Sequence, residues 1–159
     1  QVAFSPDNKF VYASLNGENA LVKVDVEKLA VVGKVKVGIG PVQIAATPDN
    51  TRVVVANQGT EQQPSTTVSI VDLRTFSVPD TVETGKGAHG IVIDPSGAYA
   101  FITNIYGNDV SVIDLATRKT ISKIPTGKKP NGVTFSTMES PTPSKPVINL
   151  SIEGHETKH

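Results

Sequence analysis

The feature that most constrains this chain is that it repeats itself. Val2–Gly17 reads VAFSPDNKFVYASLNG, Ile44–Gly59 reads IAATPDNTRVVVANQG and Ile91–Tyr106 reads IVIDPSGAYAFITNIY. A further copy starts at Val133-Thr-Phe-Ser136. Pro6, Pro48 and Pro95 align, so the repeat lengths are 42 and 47 residues. The five extra residues of the second repeat fall within the polar stretch 59–67, which predicts a protruding loop.

Each repeat holds four short apolar segments. In the first they lie at 2–4, 10–15, 20–26 and 30–36. Pro6-Asp7-Asn8, Pro48-Asp49-Asn50 and Pro95-Ser96-Gly97 separate the first two segments with turn chemistry. No segment reads as a helix, because Val, Ile and Thr dominate and Gly or Pro interrupts each longer window. Repeats of roughly 40–50 residues with four strands each predict an all-β chain of propeller blades, with about three and a half blades present. The third strand supports this. Val22, Val24 and Val26 alternate with Leu21, Lys23 and Asp25, while Val110 and Val112 lie opposite Ile113 and Leu115. Sheets apolar on both faces need neighbours on both faces.

The residues 44–82 and 91–125 are therefore expected to form superposable antiparallel blades, apart from the 59–67 loop. Strands at 2–4, 44–46, 91–93 and 133–135 are expected to be the inner ones. The blades span 1–136. Residues 137–159 read as a Pro/Ser/Thr-rich linker and C-terminal tail, with one strand candidate at 147–152.

Composition narrows the function classes. Lys plus Arg and Asp plus Glu both number 15, so the formal net charge is zero, which argues against a general nucleic-acid binder. There is no cysteine, hence no disulfide, thiol nucleophile or thiolate metal site. No apolar run is long enough to span a membrane. Lys34, Lys36, Lys119, Lys123, Lys128 and Lys129 are scattered basic residues without an aromatic ladder. Lys34 and Lys36 share a strand face and suit an exposed outer strand.

Val53-Val-Val-Ala-Asn57, Phe101-Ile-Thr-Asn104 and Val110-Ser-Val-Ile-Asp-Leu115 carry a family resemblance, as do the Pro-Asp-Asn turns and Ile124-Pro-Thr-Gly127 with Pro130-Asn-Gly132. Over residues 1–136 the chain resembles the YVTN-family β-propellers. The first repeat departs, with Ala13-Ser-Leu-Asn16 in place of that strand ending. The resemblance implies a closed ring, usually seven-bladed, in a periplasmic, cell-surface or secreted protein. Related rings occur in lactonases and in haem- or copper-bearing respiratory enzymes. Partners expected are the remaining blades of a larger ring or another copy of the chain, together with a protein or small-molecule ligand. No cofactor is expected.

Several patterns imitate reactive sites. Gly85-Lys-Gly-Ala-His-Gly90 matches a dinucleotide fingerprint by letter, but a strand follows where that motif needs a helix. His155-Glu-Thr-Lys-His159 matches a zinc-protease motif by letter, yet no downstream ligand exists in this sequence. Asn149-Leu-Ser151 is a formal glycosylation sequon. Asp25, Asp72 and Asp114 occur once per repeat and read as turn braces, and Asn16, Asn57 and Asn104 are given similar turn roles. His89 differs, because its counterparts are Val42 and Asn131. It is placed in the loop entering the third blade, at the mouth of a central channel. His89, Asn131 and Gln43 are the candidate ligand-binding residues. The leading function is a noncatalytic recognition or structural module of a larger extracytoplasmic protein. The competing one is a piece of a periplasmic redox enzyme or lactonase-like propeller.

Overall fold

A computed structural model describes residues 1–137. They form twelve strands: β1 Val2–Phe4, β2 Phe10–Leu15, β3 Ala20–Asp25, β4 Ala30–Lys36, β5 Pro41–Ala46, β6 Arg52–Gly59, β7 Pro64–Asp72, β8 Ser77–Glu83, β9 Ala88–Ile93, β10 Tyr99–Asn104, β11 Asp109–Asp114 and β12 Lys119–Pro125. The described residues make three four-stranded antiparallel sheets, each in chain order: β1-β2-β3-β4, β5-β6-β7-β8 and β9-β10-β11-β12. Among the described residues the helical content is one 3₁₀ turn at Asn16–Glu18. The expected blades are thus present at the expected segments.

Turn chemistry fixes the hairpins. Asn8, Asn50 and Gly97 sit at one equivalent turn position, all with positive φ. Asn and Gly tolerate that backbone at little cost. The β3–β4, β7–β8 and β11–β12 turns begin at Asp25, Asp72 and Asp114. Each carboxylate accepts backbone N–H groups ahead of it, from Glu27 and Lys28, from Thr75, and from Ala116 and Thr117. These aspartates are turn braces, as their one-per-repeat spacing predicts. The same turns close on Leu29, Phe76 and Arg118, which adopt positive φ without being glycine. A bulge recurs beside each outer strand, between Lys23 and Val24, Ile70 and Asp72, and Val112 and Ile113. Such bulges increase local twist.

The blades stack through two apolar cores. Tyr12 and Leu21 of the first blade pack against Ile44, Val53, Val55 and Val71 of the second. Val54, Val68 and Ile70 of the second pack against Ile91, Ile102, Ile113 and Leu115 of the third. Each blade therefore has a leading face and a trailing face, and leading meets trailing. Lys23 stands at the first junction, its ammonium 3.8 Å from the centroid of the Phe10 ring in its own blade and 5.9 Å from that of the Phe76 ring in the second. Arg52 donates from Nη1 to the Leu115 carbonyl at 2.8 Å across the second.

The register settles a point the sequence leaves open. Leu21 lies on the covered trailing face of the first blade, and Val22, Val24 and Val26 lie on its leading face. That leading face has no neighbour among the described residues. Val2 and Phe4 on it are 62% and 59% exposed, whereas Ile44 and Ile91, the counterparts of Val2, are 4% and 8% exposed.

Two expectations need correction. Residues 133–135 form no strand. An inner strand pairs only with the second strand of its own blade, and the sequence after Ser136 has prolines at 141, 143 and 146 where the other repeats have β-branched runs. The insertion within 59–67 is less loop than expected. Pro64–Thr67 belong to β7, with Pro64 opposite Gly59, so the extra residues lengthen the β6–β7 hairpin and leave a short tip at 60–63. The strand candidate at 147–152, the His155–His159 pattern and all of the expected tail except Thr137 lie outside the described residues.

Candidate ligand site at the channel mouth

The inner strands β1, β5 and β9 lie side by side and are tied by a repeated device. The Gln1 side-chain Oε1 accepts the Ile44 N–H at 3.0 Å, and the Gln43 Oε1 accepts the Ile91 N–H at 3.2 Å. Gln1, Gln43 and Gly90 are equivalent, so the series ends at the third blade, where a glycine stands. A Cβ at Gly90 would come 3.0 Å from the Asn131 carbonyl, so the chain running toward the next repeat crosses close above it.

His89 is the second residue of β9 and not part of a loop, a correction that follows from β9 starting at Ala88. It is half-buried. Its Nδ1 is enclosed and has no hydrogen-bond partner among the described residues. His89 and Gln43 line one cavity of about 350 Å³ with Gln1, Ser14 and Asn16. Ser14 donates its hydroxyl to the Val42 carbonyl at 2.7 Å, and Asn16 donates from Nδ2 to the Pro41 carbonyl at 3.3 Å. The walls are thereby braced across the first junction. Asn131 is exposed and does not line this cavity.

Among the described residues no carboxylate lines the cavity, and these residues make no carboxylate pair there. Among the described residues no group of three or more His, Asp or Glu side chains could hold a metal ion. An imidazole that lines a cavity amid amide and hydroxyl groups can hydrogen-bond a polar ligand.

Asn57 and Asn104 prove to be buried cross-strand braces, not turn residues. Asn57 donates from Nδ2 to Thr67 Oγ1 and Ser69 Oγ, both at 3.1 Å, and Asn104 donates to Ser111 Oγ at 2.9 Å and to Asp109. Asn104 ends its strand and Asn57 lies two residues before the end of its own, which is why spacing alone suggested a turn. Asn16 is not their equivalent. Leu15 occupies that position in the first blade, paired with Ala20 as Asn57 is with Thr67 and Asn104 with Asp109. Gly38 and Gly85 press on Asn57 and Asn104 so closely that a Cβ at either would overlap the amide.

Sequence reasoning did not assemble a second cleft on the same rim, between the β6–β7 hairpin tip and the loops of the third blade. It is lined by Glu61, Lys86, Tyr106, Lys128 and Lys129. The five-residue insertion was its one visible signal.

Solved structures share the architecture. The chain superposes on the hydrazine synthase of Kuenenia stuttgartiensis with a TM-score of 0.76 and 25% identity, over 82% of this chain and 37% of that one. It superposes on a functionally unknown protein from Desulfotomaculum acetoxidans with a TM-score of 0.73 and 18% identity, over 85% and 44%. For U3-55K the TM-score is 0.70 at 12% identity, over 80% and 39%. The chain thus spans less than half the length of these structures. No curated protein matches it. The model of the YNCE-like beta-propellers matches residues 1–141, and the chain belongs to that family.

Proposed function

We propose that this chain is the noncatalytic recognition or structural part of a larger propeller, of the YVTN type, that works in the periplasm, at the cell surface or as a secreted protein. The observation that carries the recognition role is the contrast between scaffold and site. The turn aspartates recur in every described blade, whereas His89 occurs once and lines a cavity with amide and hydroxyl side chains. His89 and Gln43 contribute to the ligand site, while Asn131, the next equivalent of His89 along the chain, stands outside that cavity. The Tyr-Val-Thr-Asn-like strand endings support the family type and the compartment.

A second reading has its own support in the 25% identity to a solved structure whose name describes a hydrazine synthase. There the chain would be the propeller part of an enzyme whose chemistry resides elsewhere.

The test is histidine-resolved NMR of the 159-residue chain against a panel of neutral polar compounds, sugars and amides included. Saturable shifts at His89 and at the Gln43 side-chain amide support the mouth as a site. Silence at both, in a spectrum that shows the chain folded, overturns it.

A further inference from the structure

We propose that the cleft between the second and third blades binds a small ligand carrying a phosphate or sulfate ester on an apolar or ring-shaped body. The cleft is about 600 Å³ and stands apart from the His89 cavity, sharing no lining residue with it.

Its walls are built, and not merely adjacent. Gly87 donates its N–H to the Ser65 carbonyl at 2.7 Å, Ile105 donates to the Gly87 carbonyl at 2.9 Å, and Tyr106 donates to the Lys86 carbonyl at 3.0 Å. These bonds lock the connector between the blades to the β10–β11 loop. Gly87 has φ +73°, and a Cβ there would strike the Tyr106 ring, so the ring is seated on bare backbone. The third wall is tied twice. The Lys129 N–H donates to Asn108 Oδ1 at 3.0 Å, and its Nζ meets Glu61 Oε1 at 2.9 Å. Glu61 belongs to the hairpin tip that only the second repeat possesses. The insertion therefore supplies both a wall and the anchor for the opposite wall.

The charge inside is unbalanced. Three lysines face one glutamate, and Lys129 holds that glutamate. The ammonium groups of Lys86 and Lys128 have no acidic partner among the described residues. The nearby Asp109 is engaged by Asn104. The Tyr106 hydroxyl accepts from Gln58 Nε2 at 3.1 Å, which leaves its own hydrogen to donate. Two free cations and one phenol hydrogen match an oxyanion with several acceptor oxygens. Ile105, Pro64 and the Tyr106 ring provide the apolar surface for the body of the ligand. In a chain of zero net charge, this is a local surplus and not a general basic surface.

The experiment is titration of the 159-residue chain with phenyl phosphate at low ionic strength, followed by backbone NMR and calorimetry. Phenyl sulfate, inorganic phosphate and benzyl alcohol are run beside it. Saturable binding with shifts at Lys86, Tyr106 and Lys128 is expected, absent with benzyl alcohol and weaker with inorganic phosphate. Comparing phosphate with sulfate ester identifies which oxyanion is preferred. Lys86→Gln with Lys128→Gln should weaken binding about tenfold or more. Lys34→Gln with Lys36→Gln, on the outer strand β4, should leave it unchanged. An unaltered urea midpoint for the first double variant shows that the fold is retained. No saturation by either ester with a folded spectrum, or equal losses in both double variants, overturns the proposal.

Discussion

Ser96 donates its hydroxyl hydrogen to Asp94 across Pro95, reversing the preceding blade, where Thr47 donates to Asp49 across Pro48. The first blade follows the second, with Ser5 donating to Asp7 at 2.6 Å. The turn thus requires one hydroxyl and one carboxylate on opposite sides of a proline, in either order. In each order the pair also receives the backbone N–H that opens the second strand, from Phe10 to Ser5 Oγ, Arg52 to Thr47 Oγ1 and Tyr99 to Asp94 Oδ1.

Exchange of the pair is the first prediction. Asp94→Ser with Ser96→Asp rebuilds the first blade's turn and should be close to neutral. Each single change should cost about 1 kcal/mol, because one leaves two hydroxyls and the other two carboxylates. Urea unfolding of the four proteins measures the coupling.

Acid should weaken the fold. The Ser5 hydroxyl and the Lys9 N–H hold Asp7 below its usual value, and the Thr47 hydroxyl does the same for Asp49. The backbone N–H groups of Lys28, Thr75 and Thr117 lower Asp25, Asp72 and Asp114. Burial opposes ionisation at Asp94, but its bonds from Ser96 and Tyr99 outweigh it. A lowered native pKa means that the unfolded chain takes up protons first as pH falls. Stability is therefore fully present above roughly pH 5 and declines as pH drops through about 4 and below. Urea midpoints across this range should fall, and should fall less in Asp49→Asn. Tyr12, pushed up to about 12 by burial and then by Asp7, stays neutral throughout.

Two equivalent positive-φ residues should respond oppositely to glycine. Leu29 is 85% exposed, so Leu29→Gly relieves backbone strain and should stabilise by about 0.5–1 kcal/mol. Phe76 packs into the first interblade core and over Gly33, so Phe76→Gly should destabilise by about 2 kcal/mol or more. Thermal unfolding of both variants decides it.

The glycines before successive blades form a graded series. Gly38→Ala and Gly85→Ala force a methyl into Asn57 or Asn104 and should cost about 1–3 kcal/mol. Gly127→Ala meets nothing within 4 Å and should stay within about 0.5 kcal/mol of the parent. Denaturant midpoints of the three proteins test the ranking.

Concentration should matter as well. Fully burying one Val or Phe is worth roughly 1.5–3 kcal/mol, and the open leading face presents Val2, Phe4, Val26 and Val31. Sedimentation equilibrium should show association that strengthens with concentration and weakens in Val2→Glu with Phe4→Glu. A strictly monomeric parent that unfolds cooperatively would contradict this expectation.

Strand positions were legible because the signal was given three times, with Pro6, Pro48 and Pro95 as fixed marks. Face assignment was not, since Val22 and Leu21 are equally apolar and only packing against Ile44 and Val55 separates them. Asn57 and Asn104 misled because an asparagine before a polar stretch looks like a turn, while burial beside Gly38 and Gly85 is a long-range fact. His89 was singled out by its mismatch with Val42, but its enclosed Nδ1 depends on neighbours distant in sequence. The lysine cleft draws on residues from 61 to 129 and exists only once two blades are stacked.

Because leading face meets trailing face at both described junctions, the stack has a direction, and its two ends are different surfaces. The contact is heterologous, so adding units never exhausts it by symmetry of a pair. Whether successive units close on themselves or run on as a fibre depends on the rotation from one blade to the next. The twist set by the repeated bulges at Lys23, Ile70 and Val112 thus bears on blade number, and a substitution there would act on the size of the assembly before it acted on any ligand.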